Sequence, residues 1–278
     1  MASGLTFRLL GQGIAYSASP AMMAAAFAAL GLPHRYLLAD VSADALADTV
    51  AGLRKGDAGG ANVTVPHKAA VAAHVDDLSD VARQASAVNT IVREGRRLVG
   101  HNTDMPATED AIRGLRPAGA RDVIVLGAGG ASRAVQMALS RVGVGRMTVL
   151  RRSDGSIHRL PALVESADLL VNATPVGTAS DESPVPTELL HADLAVLDLV
   201  YRPDPTRLVR EARFAGADAE SGAGILLGQA RRSLELWLGQ PAPVEVMRAA
   251  LEAELGSSVP ASTNSIDAAP SRLAASGR

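Results

Sequence analysis

Short apolar runs of four to seven residues alternate along most of this 278-residue chain with longer alanine-rich stretches whose apolar positions recur at helical spacing. In the first hundred residues LTFRLLG, HRYLLADV, GANVTV and SAVNTIV read as strands, with PAMMAAAFAALG and SADALADTVAGLRKG as helices between them. IVREGRRLVG reads as a hairpin turning at Glu94-Gly95. A helix over about Pro106–Leu115 leads through the turn-forming RPAGAR into a second alternation, with VIVLG, MTVL, DLLVNA and AVLDLV as strands. GILLGQARRSLELWLG and PVEVMRAALEAEL read as amphipathic helices, and the small, polar, aperiodic residues 257–278 as a disordered tail. The pattern predicts an α/β protein of two domains with mostly parallel sheets. We expect a first domain over 1–102, a second over 103–240, and a helix over 241–256 that packs back toward the first.

Composition narrows the function without choosing it. A net charge of −2 gives no electrostatic case for nucleic acid or an anionic membrane surface. The absence of cysteine excludes disulfides, thiolate metal sites and thiol catalysis, and no metal site is expected. No apolar run approaches the roughly 20 residues of a spanning helix, and the N-terminus lacks a signal-peptide pattern. The expectation is a soluble, cytoplasmic enzyme of small molecules.

VIVLGAGGASRAV places an apolar strand, a glycine-rich turn and a helix start in immediate succession. Gly127 and Gly129 take the first two positions of G-x-G-x-x-G, and Ser132 stands at the third. A glycine at 127 permits the tight turn, one at 129 lets backbone approach a pyrophosphate, and the helix N-terminus supplies N–H donors. A strand-to-helix turn that binds nothing is the alternative for this stretch alone. The next strand ends at Arg151, Arg152 and Ser153, where an adenosine ribose would lie. An acid there would take the ribose hydroxyls, whereas an arginine pairs with a 2′-phosphate, so NADP is favoured over NAD. Solvated arginines are the bland reading.

Four further phrases carry polar groups at strand ends: YSASP at 16–20, NVTVPHK at 62–68, AVNT at 87–90 and GHNTD at 100–104. Singly, each has a structural explanation. Ser17 and Ser19 could cap a helix, the asparagines could close turns, and Lys68 with Asp104 could be an ordinary surface pair. Their concentration in one half is what those explanations leave open.

With SAVNTI, GAGGASRA, VNATPVG, DLVYRPDPT and SGAGILLGQA added, these phrases make the chain resemble the shikimate dehydrogenase family over about residues 7–254. The resemblance implies an N-terminal α/β substrate domain, a C-terminal Rossmann-type NADP domain, and reversible reduction of 3-dehydroshikimate to shikimate on the route to aromatic amino acids. Carried onto matching positions, it implies that Ser17 and Ser19 hold the substrate carboxylate, with Tyr201 near that end. Thr64, Asn89 and Gln229 would bond ring hydroxyls, and Lys68 and Asp104 would flank the reacting hydroxyl as the catalytic pair. It further implies a cofactor surface of Gly127, Ala128, Gly129, Gly130, Ala131, Arg151, Arg152, Ser153, Thr174, Gly222 and Ile225.

The chain departs from the family pattern at Tyr16, where histidine is usual, at Ile225, where methionine is usual, and in the residues after Pro20 and after Asp104. A quinate/shikimate or aminoshikimate dehydrogenase, and a non-catalytic shikimate-binding regulatory module with a decayed cofactor site, are therefore the competing readings. The largest departure follows Arg152. Between Ser153 and DLLVNA there is room for one short strand, SIHRL, and a brief turn or helix at LPALVES, where the family fits a further full helix. Losing it would uncover apolar sheet surface, or require another element or a partner subunit to cover it; a homodimer is the candidate assembly.

Overall fold

The computed structural model describes residues 4–116, 118–178 and 180–256; the tail expected over 257–278 lies outside the described residues. The first half runs β1 (Thr6–Gly11), α1 (Ser19–Ala29), β2 (Arg35–Asp40), α2 (Leu46–Gly52), β3 (Ala58–Val63), β4 (Asp77–Leu78), α3 (Asp80–Ala85), β5 (Thr90–Glu94), β6 (Arg97–His101) and α4 (Asp104–Leu115). Its strands form one six-stranded sheet in the order β2-β1-β3-β5-β6-β4. Neighbours are parallel except around β5, which runs antiparallel to both β3 and β6. The hairpin β5–β6 turns through Gly95, whose φ of +65° is open to glycine at little cost.

The second half runs β7 (Asp122–Leu126), α5 (Gly130–Val142), β8 (Arg146–Leu150), α6 (Leu160–Val164), β9 (Leu169–Asn172), β10 (Ala195–Asp198), α7 (Arg207–Phe214), β11 (Ala219–Glu220), α8 (Gly222–Leu238) and α9 (Val244–Leu255). Its five strands are all parallel, in the order β11-β10-β9-β7-β8. Helices cover both faces, which is why β7, β9 and β10 are near-continuous apolar runs rather than alternating ones. Ile124 and Leu126 pack toward Leu160, Val164 and Leu208, whereas Val123 and Val125 pack toward Ile112, Val135 and Leu139.

Two elements bind the halves together. Helix α4 leads out of the first sheet, yet its Met105, Ile112 and Leu115 belong to the apolar cluster of the second. Helix α8 follows the last strand of the second sheet, and its Ala223, Leu227, Ala230 and Leu234 lie in the core under β1 and α1. Met247 and Leu251 of α9, both fully buried, join Phe7, Met22, Met23 and Phe27 in that same core.

The segment after β8 departs from the sequence expectation. SIHRL forms no strand: Ser156–Arg159 is a 3₁₀ turn that runs directly into α6. Local bonds explain the outcome. Gly155 turns the chain at φ +73°, Asp154 Oδ1 accepts the Ser156 N–H at 2.9 Å, and Ser156 Oγ accepts the Arg151 N–H at 2.8 Å. Pro161 in the first turn of α6 then favours helix over sheet. Nor is the sheet bared, since Leu160 and Val164 bury themselves against Ile124, Leu126 and Leu150. A helix of five residues covers the place expected to stand open.

Candidate functional site

Parallel strands deliver their following loops to one edge of a sheet, and both sheets turn that edge toward a shared cavity of about 350 Å³. Ser17 enters it from the loop after β1 and Ser19 from the first residue of α1, where the Ser19 N–H donates to Ser17 Oγ at 3.3 Å. That loop lies close over β3 because residue 11 is glycine: a Cβ there would stand 2.5 Å from the Thr64 methyl. Thr64 and Lys68 come from the turn after β3, and Asn89 from the residue just before β5. Asp104 opens α4, whose first turn is held by Asn102 Oδ1 accepting the Met105 N–H at 3.0 Å.

Lys68 Nζ donates to Asp104 Oδ2 at 2.7 Å, with side chains 36% and 28% exposed. The pair is shielded on one side and open to the cavity on the other. An ammonium has three donors, and this bond uses one of them. Asn89 has a defined orientation. The Thr103 N–H can only donate, so the amide atom it meets at 2.8 Å is Oδ1. One Nδ2 proton goes to Thr103 Oγ1 at 2.9 Å, which leaves the second for the cavity.

The second half contributes the opposite wall. Ala131 of α5, Tyr201 after β10, and Gly222, Ile225 and Gln229 of α8 all line the same cavity. Burial pushes the Tyr201 hydroxyl above its ordinary value, and the nearby Tyr16 adds to the shift, so Tyr201 stays a neutral donor. Gly222 lets the start of α8 rest on the chain, since a Cβ would lie 2.3 Å from Leu199 O.

The remaining residues expected at a cofactor lie outside this cavity, at the carboxyl ends of β7, β8 and β9. Gly127 has φ +107°, and a Cβ on it would stand 2.8 Å from Ala173 O, so the turn admits only glycine. Gly129 precedes α5 in extended conformation without a side-chain cap. Open space lies where Cβ atoms of Gly129 and Gly130 would sit, at the N-terminal end of α5, whose first amides have no partner within the helix. Buried Ser132 replaces the motif's third glycine and donates from Oγ to Gly127 O at 2.8 Å, bracing the loop from beneath. Ala128 sits between the two glycines. This cradle fits a pyrophosphate.

Thr174 lies beside Gly127 and donates to Asn172 Oδ1 at 2.7 Å. Arg151, Arg152 and Ser153 are exposed at the end of β8. Arg151 is 3.9 Å from Asp154, whereas the Arg152 side chain forms no ion pair or hydrogen bond among the described residues. A free guanidinium there fits a 2′-phosphate.

Sequence reading passed over two buried polar groups behind these loops. Asp198 accepts from Asn172 Nδ2 at 2.8 Å, Val200 N at 3.0 Å and Thr206 Oγ1 at 2.7 Å, tying the loop of Thr174 to that of Tyr201. Burial raises its carboxyl above the usual range against these bonds. The other group joins Asn62, Asn89, Thr90, Thr103 and Ser233. For Ser233 the only signal was a serine on the buried face of an amphipathic helix. Among the described residues no cluster of three or more histidines, aspartates or glutamates could hold a metal, and no helix is long and apolar enough to cross a membrane.

Comparisons agree with this arrangement. The model of the shikimate dehydrogenase substrate binding domain matches residues 9–91, and that of the shikimate 5′-dehydrogenase C-terminal domain matches residues 222–252. The chain is 43% identical to the NADP(+) shikimate dehydrogenase of Symbiobacterium thermophilum, over 91% of this chain and 95% of that protein. The shikimate 5-dehydrogenase of Thermus thermophilus, solved with NADP(H) and shikimate, superposes with a TM-score of 0.79 at 36% identity, over 90% of this chain and all of that one. The quinate dehydrogenase of Corynebacterium glutamicum, solved with NAD, gives 0.80 at 28% identity, over 90% of this chain and all of that one. With both family models matched and 43% identity over nearly its whole length to one such enzyme, the chain belongs to the shikimate dehydrogenase family.

Proposed function

We propose that this protein is an NADP-dependent shikimate dehydrogenase that reversibly reduces 3-dehydroshikimate to shikimate, a step of aromatic amino-acid biosynthesis. The observation that carries the reading is the Lys68–Asp104 pair at 2.7 Å, inside a cavity that Ser17, Ser19, Thr64, Asn89, Tyr201 and Gln229 also line. The nicotinamide cofactor, when held there, would supply the hydride chemistry. The protein's own task is to move a proton at the reacting oxygen and to hold the ring. Lys68 keeps two ammonium donors beyond its bond to Asp104, one of which can protonate the alkoxide on reduction; on oxidation the lysine in its neutral amine form receives the hydroxyl proton. Asp104 orients that ammonium and has a second oxygen with which to accept from the substrate hydroxyl. Ser17 and Ser19, with the neutral Tyr201, suit a carboxylate. Thr64, Gln229 and the unused Asn89 proton suit ring hydroxyls.

On the cofactor side, Gly127, Ala128, Gly129, Gly130 and Ala131 would hold the pyrophosphate, and Arg151, Arg152 and Ser153 the 2′-phosphate. Thr174, Gly222 and Ile225 would border the nicotinamide. The same reading divides the chain into a substrate domain over 1–102 and a cofactor domain over 103–240, with 241–256 returning to the first. It takes the protein as cytoplasmic and homodimeric, the edge strand β2 with its exposed Leu37 and Leu38 being the surface for a second copy.

Tyr16, exposed at the cavity mouth, keeps quinate as a second reading. Steady-state oxidation of shikimate and of quinate with each of NADP and NAD tests both. The proposal expects the highest kcat/KM for shikimate with NADP; a higher value for quinate, or with NAD, overturns it.

A further inference from the structure

Where α8 crosses β3 and β5, three hydroxyls and two side-chain amides close into one buried cluster. Asn62, Asn89, Thr90, Thr103 and Ser233 are all at most 5% exposed, and neither Thr90 nor Ser233 reaches the cavity. Thr90 Oγ1 is the hub. It lies 3.1 Å from Asn89 Oδ1, 3.1 Å from Asn62 Nδ2, 2.8 Å from Ser233 Oγ and 3.3 Å from Thr103 Oγ1. Ser233 Oγ also accepts from Asn62 Nδ2 at 2.9 Å and meets Gln229 O at 3.0 Å. The far side of Asn62 is fixed by Tyr36, whose hydroxyl donates to Oδ1 at 2.8 Å.

Each spoke of this hub ends at a wall of the cavity. Asn89 is itself a lining residue, Thr103 immediately precedes Asp104, and Ser233 stands one helical turn after Gln229. A buried polar cluster accepts one register only, because sliding the helix leaves donors and acceptors unpaired. An apolar contact would tolerate a shift. One turn further on, Trp237 Nε1 donates to Ile91 O at 2.9 Å, and Gly60 makes room for it: a Cβ there would stand 2.6 Å from Nε1.

We propose that Thr90, acting with Ser233, is a positioning residue that sets Asn89, Asp104 and Gln229 at mutually fixed distances around the substrate while touching neither substrate nor cofactor. The inference rests on the shikimate reading above. It makes a selective claim, since none of the residues it aligns belongs to the Gly127–Ala131 loop, and Gly222 and Ile225 stand two or more turns before Ser233 on α8, further from the hub than Gln229.

Thr90→Val removes the hydroxyl at constant shape, and Thr90→Ser keeps the hydroxyl while losing a methyl. We expect Thr90→Val to raise KM for shikimate about tenfold, with KM for NADP unchanged within about twofold, and Thr90→Ser to stay near wild type for both. Ser233→Ala should split the two constants in the same sense, and it decides the matter if Thr90→Val does not fold. Equal changes in both constants, no change in either, or a serine variant that behaves like the valine one would overturn the inference. So would a variant whose unfolding temperature falls while its kinetics stay at wild-type values. An inactive wild type would overturn the shikimate reading and this inference together, whereas an active wild type with unsplit constants overturns this inference alone.

Discussion

Lys68 and Asp104 are 36 residues apart in the chain, and nothing in their local sequence requires them to meet. They meet because β3 and β6 flank β5 in one sheet, so the turn after β3 and the start of α4 emerge at the same edge. Sequence alone left this pair open to reading as a surface salt bridge, and its partial exposure by itself would not decide. Position decides, because both side chains face the cavity that the two halves enclose. Replacing Lys68 by alanine should lower kcat by about 10²–10⁴-fold, the range for loss of a positioned proton donor. Shikimate affinity, measured by calorimetry, should stay within a few-fold. Turnover within a few-fold of wild type would remove Lys68 from the role given it. Asn89 teaches the complementary lesson. Its residue type pointed to a polar site, yet which of its atoms faces the cavity is set by the Thr103 N–H.

At the scale of elements, most strands and helices were legible because apolar spacing and capping residues agree. Helix α5 shows this agreement, starting after Gly129 and ending at Gly143 with φ +85°. Short elements escaped. Helices α3 and α7 are capped by Ser79 and Thr206, whose hydroxyls accept from Ala82 N at 3.2 Å and Val209 N at 3.3 Å, signals too local to outweigh their polar composition. The segment after β8 was misread as a strand because SIHR carries no periodicity, and the turn bonds of Asp154 and Ser156 prevailed. The same turn presents Arg152 outward, its side chain unpaired among the described residues. Arg152→Ala should therefore weaken NADP by about 10- to 100-fold, as for a lost charge-assisted bond, while leaving NAD little changed. Kinetics with both nucleotides check this, and equal losses for the two would show that Arg152 does not read the 2′-phosphate.

Across the whole molecule, the chain crosses between its halves more than once. Helix α8 carries cavity residues on its first turns and buries Leu227 and Leu234 under β1, and α9 completes that core with Met247 and Leu251. The C-terminal helices are thus part of the substrate half's stability. Met247→Ala should cost about 2–5 kcal/mol, as for a fully buried large-to-small change. Hydrogen exchange should localise the loss to α1 and β1 and spare β7 and β9. Uniform loss of protection across both sheets would mean that the halves unfold as one unit.

By itself the sequence determined the fold class, the glycine turn and the inventory of polar groups. Periodicity, turn chemistry and the steric freedom of glycine are local, and a single chain segment contains all they need. Tertiary structure alone decided that Lys68 meets Asp104, that five residues of α6 suffice to cover the sheet, and that Thr90 and Ser233 share one buried hub. Each of those depends on a distance between residues far apart in the chain, or on the shape of a cavity between elements. Such distances are fixed by sheet order and helix packing, which no short window of sequence contains.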